Sequence, residues 1–239
     1  MSKAMVVFSG GQDSTTCLAL AREGVKDGEY EGVIAISFMY EQKHATAELN
    51  AARQIVREWD IPHKLVYLNI PSVSALLTRN GRYVADVNGP HPQHPDLPAS
   101  FVPDRNAYFL LIAHMNAQVY GCDTIMAGMN QTDYSGYPDC REEFLVPYMN
   151  ALNIGSGTNI KAKFPLLHKS KAEIWKMAFD LGVYRTIVYE THTCYNGETT
   201  SLHAWGFGCG ECPACVIRRE SWEQFMKDIG GDINAKIRG

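Results

Sequence analysis

The sequence predicts an α/β fold, a doubly wound parallel sheet with a small metal-binding appendage at its C-terminal end. Three observations predict it. Short runs rich in Val, Ile and Leu alternate with longer stretches of helical periodicity. The first run ends on Ser9-Gly10-Gly11, the kind of turn that joins a strand to a helix in such sheets. Four of the seven cysteines crowd into the last fifth of the chain. The expected division is residues 1–190 for the α/β domain and 191–239 for the appendage.

Residues 4–8 are apolar and Val-rich, and read as a buried first strand. A helix follows over 14–22, with Gly24 placed to cap it. Residues 33–39 predict a second strand. Residues 45–59 predict a helix with Leu49, Ala52, Ile55, Val56 and Trp59 on one face. Residues 65–70 predict a third strand. The proline-rich stretch 71–103 is too long to be a passive connection in a compact domain. Residues 105–120 predict a strongly apolar helix, 124–127 a fourth strand, 128–140 a polar loop, 171–181 a helix and 216–229 a last helix. No internal repeat is present.

Composition narrows the function classes. With 239 residues, 46% hydrophobic and 20% charged, the chain is an ordinary globular one. A net charge of −4 argues against wide, sequence-blind nucleic-acid binding, so no stable nucleic-acid partner is expected. No apolar run approaches the length of a membrane span, and the N-terminal apolar run is too short for a signal peptide. An odd number of cysteines without a secretion signal predicts a cytoplasmic protein with reduced thiols.

Two motifs carry chemistry. The first is Phe8-Ser9-Gly10-Gly11-Gln12-Asp13-Ser14-Thr15, between the first strand and the first helix. Paired glycines let the backbone approach an anion, and the helix N-terminus and the Ser9, Ser14 and Thr15 hydroxyls supply donors. The loop is neither a Walker A loop, which needs Gly-Lys-Ser/Thr, nor a dinucleotide fingerprint, which needs a third glycine. Asp13 would repel phosphate unless it caps the helix, the favoured reading, or meets Mg²⁺. The second motif is Cys209-x-x-Cys212-x-x-Cys215 with Cys194 upstream. Four thiolates at this spacing suit a closed, structural tetrahedral Zn²⁺ site. An iron–sulfur cluster is the competing metal, and paired disulfides the non-metal alternative. His192 and His203 read as ordinary loop histidines.

Ser-Gly-Gly-x-Asp-Ser after the first strand resembles the PP-loop of the ATP pyrophosphatase, or adenine nucleotide α-hydrolase-like, superfamily. Three further stretches sharpen the resemblance: Phe101-Val102-Pro103-Asp104-Arg105-Asn106, the run from Gly128 to Arg141 that contains Ser135-Gly136-Tyr137-Pro138-Asp139-Cys140-Arg141, and Thr193-Cys194-Tyr195-Asn196-Gly197. In this order, over nearly the whole chain, they resemble the 7-cyano-7-deazaguanine synthase family. The resemblance implies a carbon–nitrogen ligase that uses ATP, Mg²⁺ and ammonia to turn 7-carboxy-7-deazaguanine into the nitrile through an amide, and a homodimer.

It also implies roles. Phe8 to Thr15 hold ATP. Arg105 binds phosphate or the substrate carboxylate, and Asn106 and Arg141 are further site candidates. Asp133 or Asp139 reads the guanine-like edge, and Tyr137 or Phe101 stacks on the ring. Lys163, Lys169 and Lys171 flank Phe164-Pro165-Leu166-Leu167, where relatives place a phosphate-contacting lysine. The chain departs from the family pattern at Glu41 and Asp104, where glycine is common, at Met129 and Asn130, and in the longer segment from Thr199 to Phe207. A relative that stops at 7-amido-7-deazaguanine, or joins the activated acid to another amine, stays open.

Overall fold

The computed structural model describes residues 2–71, 74, 76–79, 82–83, 89–131 and 136–230. The elements run β1 (Lys3–Val7), α1 (Gln12–Lys26), β2 (Gly32–Met39), α2 (Ala45–Glu58) and β3 (His63–Tyr67). Two short hairpins follow, β4 (Thr78–Arg79) with β5 (Arg82–Tyr83), and β6 (Pro90–His91) with β7 (His94–Pro98). Then come α3 (Arg105–Tyr120), β8 (Thr124–Ala127), a 3₁₀ turn at Pro138–Cys140, α4 (Glu142–Ser156) and β9 (Lys161–Lys163). The chain ends with α5 (Lys171–Asp180), α6 (Tyr184–Glu190), the hairpin β10 (Leu202–His203) with β11 (Gly206–Phe207), and α7 (Pro213–Asp228).

The central sheet has five strands, all parallel, in the order β3-β2-β1-β8-β9. The chain turns back across β1, so the carboxyl ends of β1 and β8 flank a topological switch point, where open α/β sheets bind ligands. Strand alternation feeds both faces. Met5, Ile36 and Ile125 pack on one side with Leu110, Ala113 and Ala117 of α3 and Leu145 and Met149 of α4. Ala4, Val6 and Ala35 pack on the other with Leu18 and Ala21 of α1 and Ala52 and Ile55 of α2. A third apolar cluster joins Trp175 and Ala178 of α5, Ile187 and Val188 of α6, and Phe225 of α7 to Cys194, Trp205, Cys212 and Cys215. No helix among the described residues is long and apolar enough to cross a membrane.

Several boundaries differ from the sequence reading. Gly24 does not end α1. It is buried inside the helix, where a Cβ would meet the Tyr30 ring at 2.7 Å, and Gly28 takes the left-handed turn instead (φ +79°). α4 was unread because Pro147 and Gly155 look like breakers. The short β9 lacks any alternation, and α6 is too short for a periodic signal. The proline-rich stretch holds the β6–β7 hairpin beside the cavity described below.

Glu41 (φ 63°) and Asp104 (φ 59°) occupy the left-handed region, as does Asp60. The first two are the positions where glycine was expected, so the backbone keeps the glycine conformation while the side chain changes. Asp104 stands at the N-cap of α3 yet makes no capping bond. Asp104→Gly is therefore expected to raise stability by about 0.5–1 kcal/mol, read as a higher thermal midpoint. An unchanged or lower midpoint contradicts this account of strain.

Candidate active site and metal centre

The loop after β1 is shaped by what surrounds it. Gly10 adopts φ +80°, and a Cβ there would lie 2.6 Å from the Ala52 backbone N and 2.9 Å from the Glu48 backbone O. Only glycine lets the loop rest on α2 in this way. From the other side, the His192 backbone N–H donates to Gly10 O at 3.0 Å, which ties the loop to the C-terminal segment. Ser14 Oγ accepts from the Ser9 backbone N–H at 3.2 Å and lies 3.1 Å from Ser9 Oγ. Gly128, just past β8, packs tightly on Asp13: a Cβ there would lie 3.2 Å from its carbonyl carbon.

Gly11 is the N-cap of α1, and no side chain caps the helix. The first-turn N–H groups are thus left for an anion, reinforced by the helix dipole. The expected capping by Asp13 does not occur. Asp13 Oδ2 accepts from Lys171 Nζ at 2.7 Å instead, so the two charges neutralise one another beside the loop. Lys171 is the first residue of α5, whose N-terminus is fixed by a capping box between Ser170 and Glu173. Asn130 steadies the approach to α5 by donating to Leu166 O (2.6 Å) and Lys169 O (2.7 Å).

One cavity of about 840 Å³ opens over this loop, within the range of small-molecule sites. It brings together Phe8, Ser9, Gly11, Gln12, Asp13 and Ser14 with Arg105, Asn106, Tyr137, Cys140, Arg141 and Lys171. Thr15 lies beneath the floor, fully buried. Arg105, in the first turn of α3, is half-buried and makes no carboxylate ion pair among the described residues. Its Nη1 reaches Tyr40 Oη at 3.4 Å, and its Nε has no partner. Burial opposes its charge, but Tyr40, Tyr137 and Asp139 outweigh this and hold its pKa above the ordinary value. Tyr137 lines the cavity, its hydroxyl 2.6 Å from Ser100 Oγ. Arg218 of α7, 2% exposed, also lines it; burial pulls its pKa to about 10, and it donates to Trp205 O, Thr193 Oγ1, Ile187 O and Thr191 Oγ1.

Lys163, Lys169, Asp139 and Phe101 do not line the cavity, and Lys169 pairs with Glu173 at 3.8 Å. Lys163 points to the opposite end of the sheet, where it pairs with Glu29 and sits 5.3 Å from the Tyr30 ring centroid. Asp139 is buried outside the cavity lining; its Oδ2 accepts from the Asn106 backbone N–H at 3.1 Å, so it caps α3 across the fold. Burial raises the Asp139 pKa, while Arg105 and the Asn106 N–H oppose the rise. Asp133 lies outside the described residues. Phe101 packs against His91, His94 and Tyr137 and does not line the cavity.

The sequence reading missed His44, Glu48, His192 and Arg218, all of which line the cavity. His44 and Glu48 are one helical turn apart, a spacing visible in the sequence. His192, read as a loop histidine, is 3% exposed, and its Nε2–H donates to Cys194 O at 2.8 Å.

The Sγ atoms of Cys194, Cys209, Cys212 and Cys215 lie within 4.8 Å of one another. Pairs stand 3.9 Å (Cys209–Cys215) and 4.0 Å (Cys212–Cys194) apart, far too long for disulfides. Tetrahedral bonds of about 2.3 Å place sulfurs roughly 3.8 Å apart, so the set fits one ion. An iron–sulfur cube, with a separate iron for each thiolate, needs a wider set. The Cys212 backbone N–H donates to Cys209 Sγ at 3.3 Å, and neighbouring thiols pull the Cys194 pKa far below its ordinary value. Gly208 admits no side chain, since a Cβ would lie 2.6 Å from Cys215 Sγ. The β10–β11 hairpin, within the longer segment, closes over the site, with His203 stacked on Trp205 at 4.4 Å.

A parallel sheet with an uncapped glycine loop at its switch point, joined to a four-thiolate centre, defines an α/β protein of the PP-loop type. Comparison with known proteins carries this further: a family model described as queuosine biosynthesis protein QueC matches residues 3–226, and the chain belongs to that family. A relative from Wolinella succinogenes, named 7-cyano-7-deazaguanine synthase, is 42% identical over 95% of each chain. Relatives of the same name from Helicobacter pylori strain P12 (43%, covering 93% of this chain and 95% of that one) and Clostridium botulinum (42%, covering 95% and 97%) agree. Among solved structures, the U34-tRNA thiolase NcsA from Methanococcus maripaludis with its [4Fe-4S] cluster aligns with 100% of this chain and 71% of that one. The identity is 16% and the TM-score 0.44, too low to carry an argument.

Gly10→Ala is expected to abolish anion binding at the loop and destabilise the fold by several kcal/mol, roughly the 1–3 kcal/mol of overpacking plus left-handed strain. Calorimetric titration and thermal melting check it; near-wild-type binding would overturn the packing argument. Chelation is expected to remove about one metal equivalent per chain and lower the melting temperature, because folding of the tail depends on the ion. Trp205 fluorescence reports it, and a melt unaffected by metal loss contradicts the assignment.

Proposed function

We propose that this chain makes 7-cyano-7-deazaguanine from 7-carboxy-7-deazaguanine, ATP and ammonia, by way of an adenylated acid, an amide and an adenylated amide. The family's named members support the nitrile synthase role. The observation that carries the chemistry is the cavity over an uncapped helix N-terminus, in which four basic side chains stand with Asp13, Glu48 and Asp96. Arg105, Arg141, Lys171 and Arg218 line it with the loop from Phe8 to Ser14. Such a site suits a triphosphate and a carboxylate together, and a carboxylate needs an activated leaving group before ammonia can displace it.

Ser9, Gly10, Gly11 and the N–H groups of Gln12, Asp13 and Ser14 hold the ATP phosphates, with Lys171 beside them and Mg²⁺ supplying further charge neutralisation. Thr15 supports the loop from below. Arg105 turns its fork to the substrate carboxylate or the α-phosphate. Tyr137 lies against the deazaguanine ring, with Asn106 and Arg141 at the rim. The metal is Zn²⁺, structural because four thiolates leave no open position. Residues 191–239 form the zinc-binding subdomain, although it shares a core with α5 and α6. Exposed Met115 and Val119 on α3, and Val146 and Ile154 on α4, offer apolar surface for a homodimer. The place of action is the cytoplasm.

Incubation with 7-carboxy-7-deazaguanine, ATP, Mg²⁺ and ammonium, followed by mass spectrometry, is expected to show the nitrile. An amide end product favours the amide-forming relative, and no consumption of the acid removes both readings. Arg105→Lys is expected to lower kcat/KM for the acid by roughly 10–100-fold, since a point charge replaces a bidentate fork. Wild-type turnover in that variant contradicts the assigned role.

A further inference from the structure

Three carboxylates line the cavity, and two of them have partners. Asp13 Oδ2 accepts from Lys171 Nζ at 2.7 Å, and Glu48 Oε2 accepts from Gln42 Nε2 at 3.1 Å. The third, Asp96, lies on β7, and its side chain makes no ion pair or hydrogen bond among the described residues. The strand that carries it is anchored on both sides. Before it, His91 Nδ1 accepts from the backbone N–H groups of Gln93 at 3.2 Å and His94 at 3.1 Å, which fixes the turn of the β6–β7 hairpin. After it, the Phe101 N–H donates to Pro98 O at 2.9 Å, and Ser100 Oγ lies 2.6 Å from Tyr137 Oη. Leu97 and Pro98 line the cavity together with Asp96.

The same cavity has an aromatic wall. The Phe38 and Phe109 rings stack at 4.5 Å, and Tyr40 meets Phe109 edge-on at 5.4 Å. Arg105 lies 6.0 Å from the Phe109 ring centroid and 5.9 Å from that of Tyr137. Ring faces of this kind favour a planar ligand. Arg105 is half-buried and Asp96 is exposed. The cavity thus offers a cation inside, a carboxylate at its edge and aromatic faces along its wall.

We propose that Asp96 determines specificity for the substrate ring, by accepting from its N1–H and its 2-amino group. The inference rests on the proposed function and names the group that selects the acid. The ring enters with its carboxylate toward Arg105, the orientation that adenylation at the phosphate loop requires. The pyrimidine edge, on the far side of the bicycle, then stays at the mouth. That edge presents two parallel N–H donors, spaced like one side of a guanidinium fork, and a carboxylate accepts both at once. Asp139, the other described candidate for this edge, is buried outside the lining and occupied by the Asn106 N–H.

The test is calorimetric titration in the presence of a non-hydrolysable ATP analogue, with 7-carboxy-7-deazaguanine and with the same acid lacking its 2-amino group. The wild-type chain is expected to bind the amino-bearing acid about 10-fold more tightly, the size of a charge-assisted hydrogen bond left unmade. Asp96→Asn is expected to bring the two affinities within about twofold of one another, because an amide offers one acceptor oxygen and no charge. Asp96→Glu, which restores a carboxylate, is expected to regain preference for the amino-bearing acid. The side chain is exposed, so neither change burdens the fold. Binding of neither acid by the wild-type chain overturns the proposed function and this assignment with it. Binding of both acids without preference, or a preference that Asp96→Asn retains in full, overturns the assignment alone.

Discussion

The structure depends on the seating of one glycine. Gly10 lies so close to the backbone of α2 that no side chain fits, and its carbonyl is held by the N–H of His192. That single position binds three parts of the chain: the end of β1, the first turns of α2 and the segment leading into the thiolate centre. The loop is rigid because it is gripped from both sides. Its N–H groups then face the cavity without reorganisation, which gives electrostatic binding its strength.

The grip also explains why the four-cysteine cluster stands beside this loop. Cys194 follows His192 by two residues, and Arg218 follows Cys215 by three. Arg218 gathers Thr191, Thr193, Ile187 and Trp205 into one arrangement, in space left by Gly206, whose Cβ would lie 2.6 Å from Nη2. Folding the thiolate knuckle therefore sets the strand of backbone that holds Gly10. The tail and the α/β domain are joined through the site and through a common apolar core.

Much of this was legible in the sequence, for local reasons. The Val-rich run before Gly10-Gly11 and the three-residue cysteine spacing are contiguous patterns whose chemistry needs few neighbours. The departures at Glu41 and Asp104 were legible as departures, but only the backbone angles showed that both keep a left-handed turn. α4 was hidden because Pro147 breaks the local rule while burial of Leu145 and Met149 outweighs it. Helix propensity is a weak prior beside tertiary packing.

By itself the sequence determined the α/β class, the glycine turn from Ser9 to Ser14 and the four-cysteine cluster. Each is written in adjacent residues and enforced by backbone geometry or ligand number. Only the tertiary structure decided which charges meet. It sent Lys163 to Glu29 and Lys171 to Asp13, turned Asp139 to α3, and brought Glu48, His44 and His192 behind the loop. Those pairings join residues far apart along the chain, and their distances are set by how helices pack on the sheet, which no local pattern encodes.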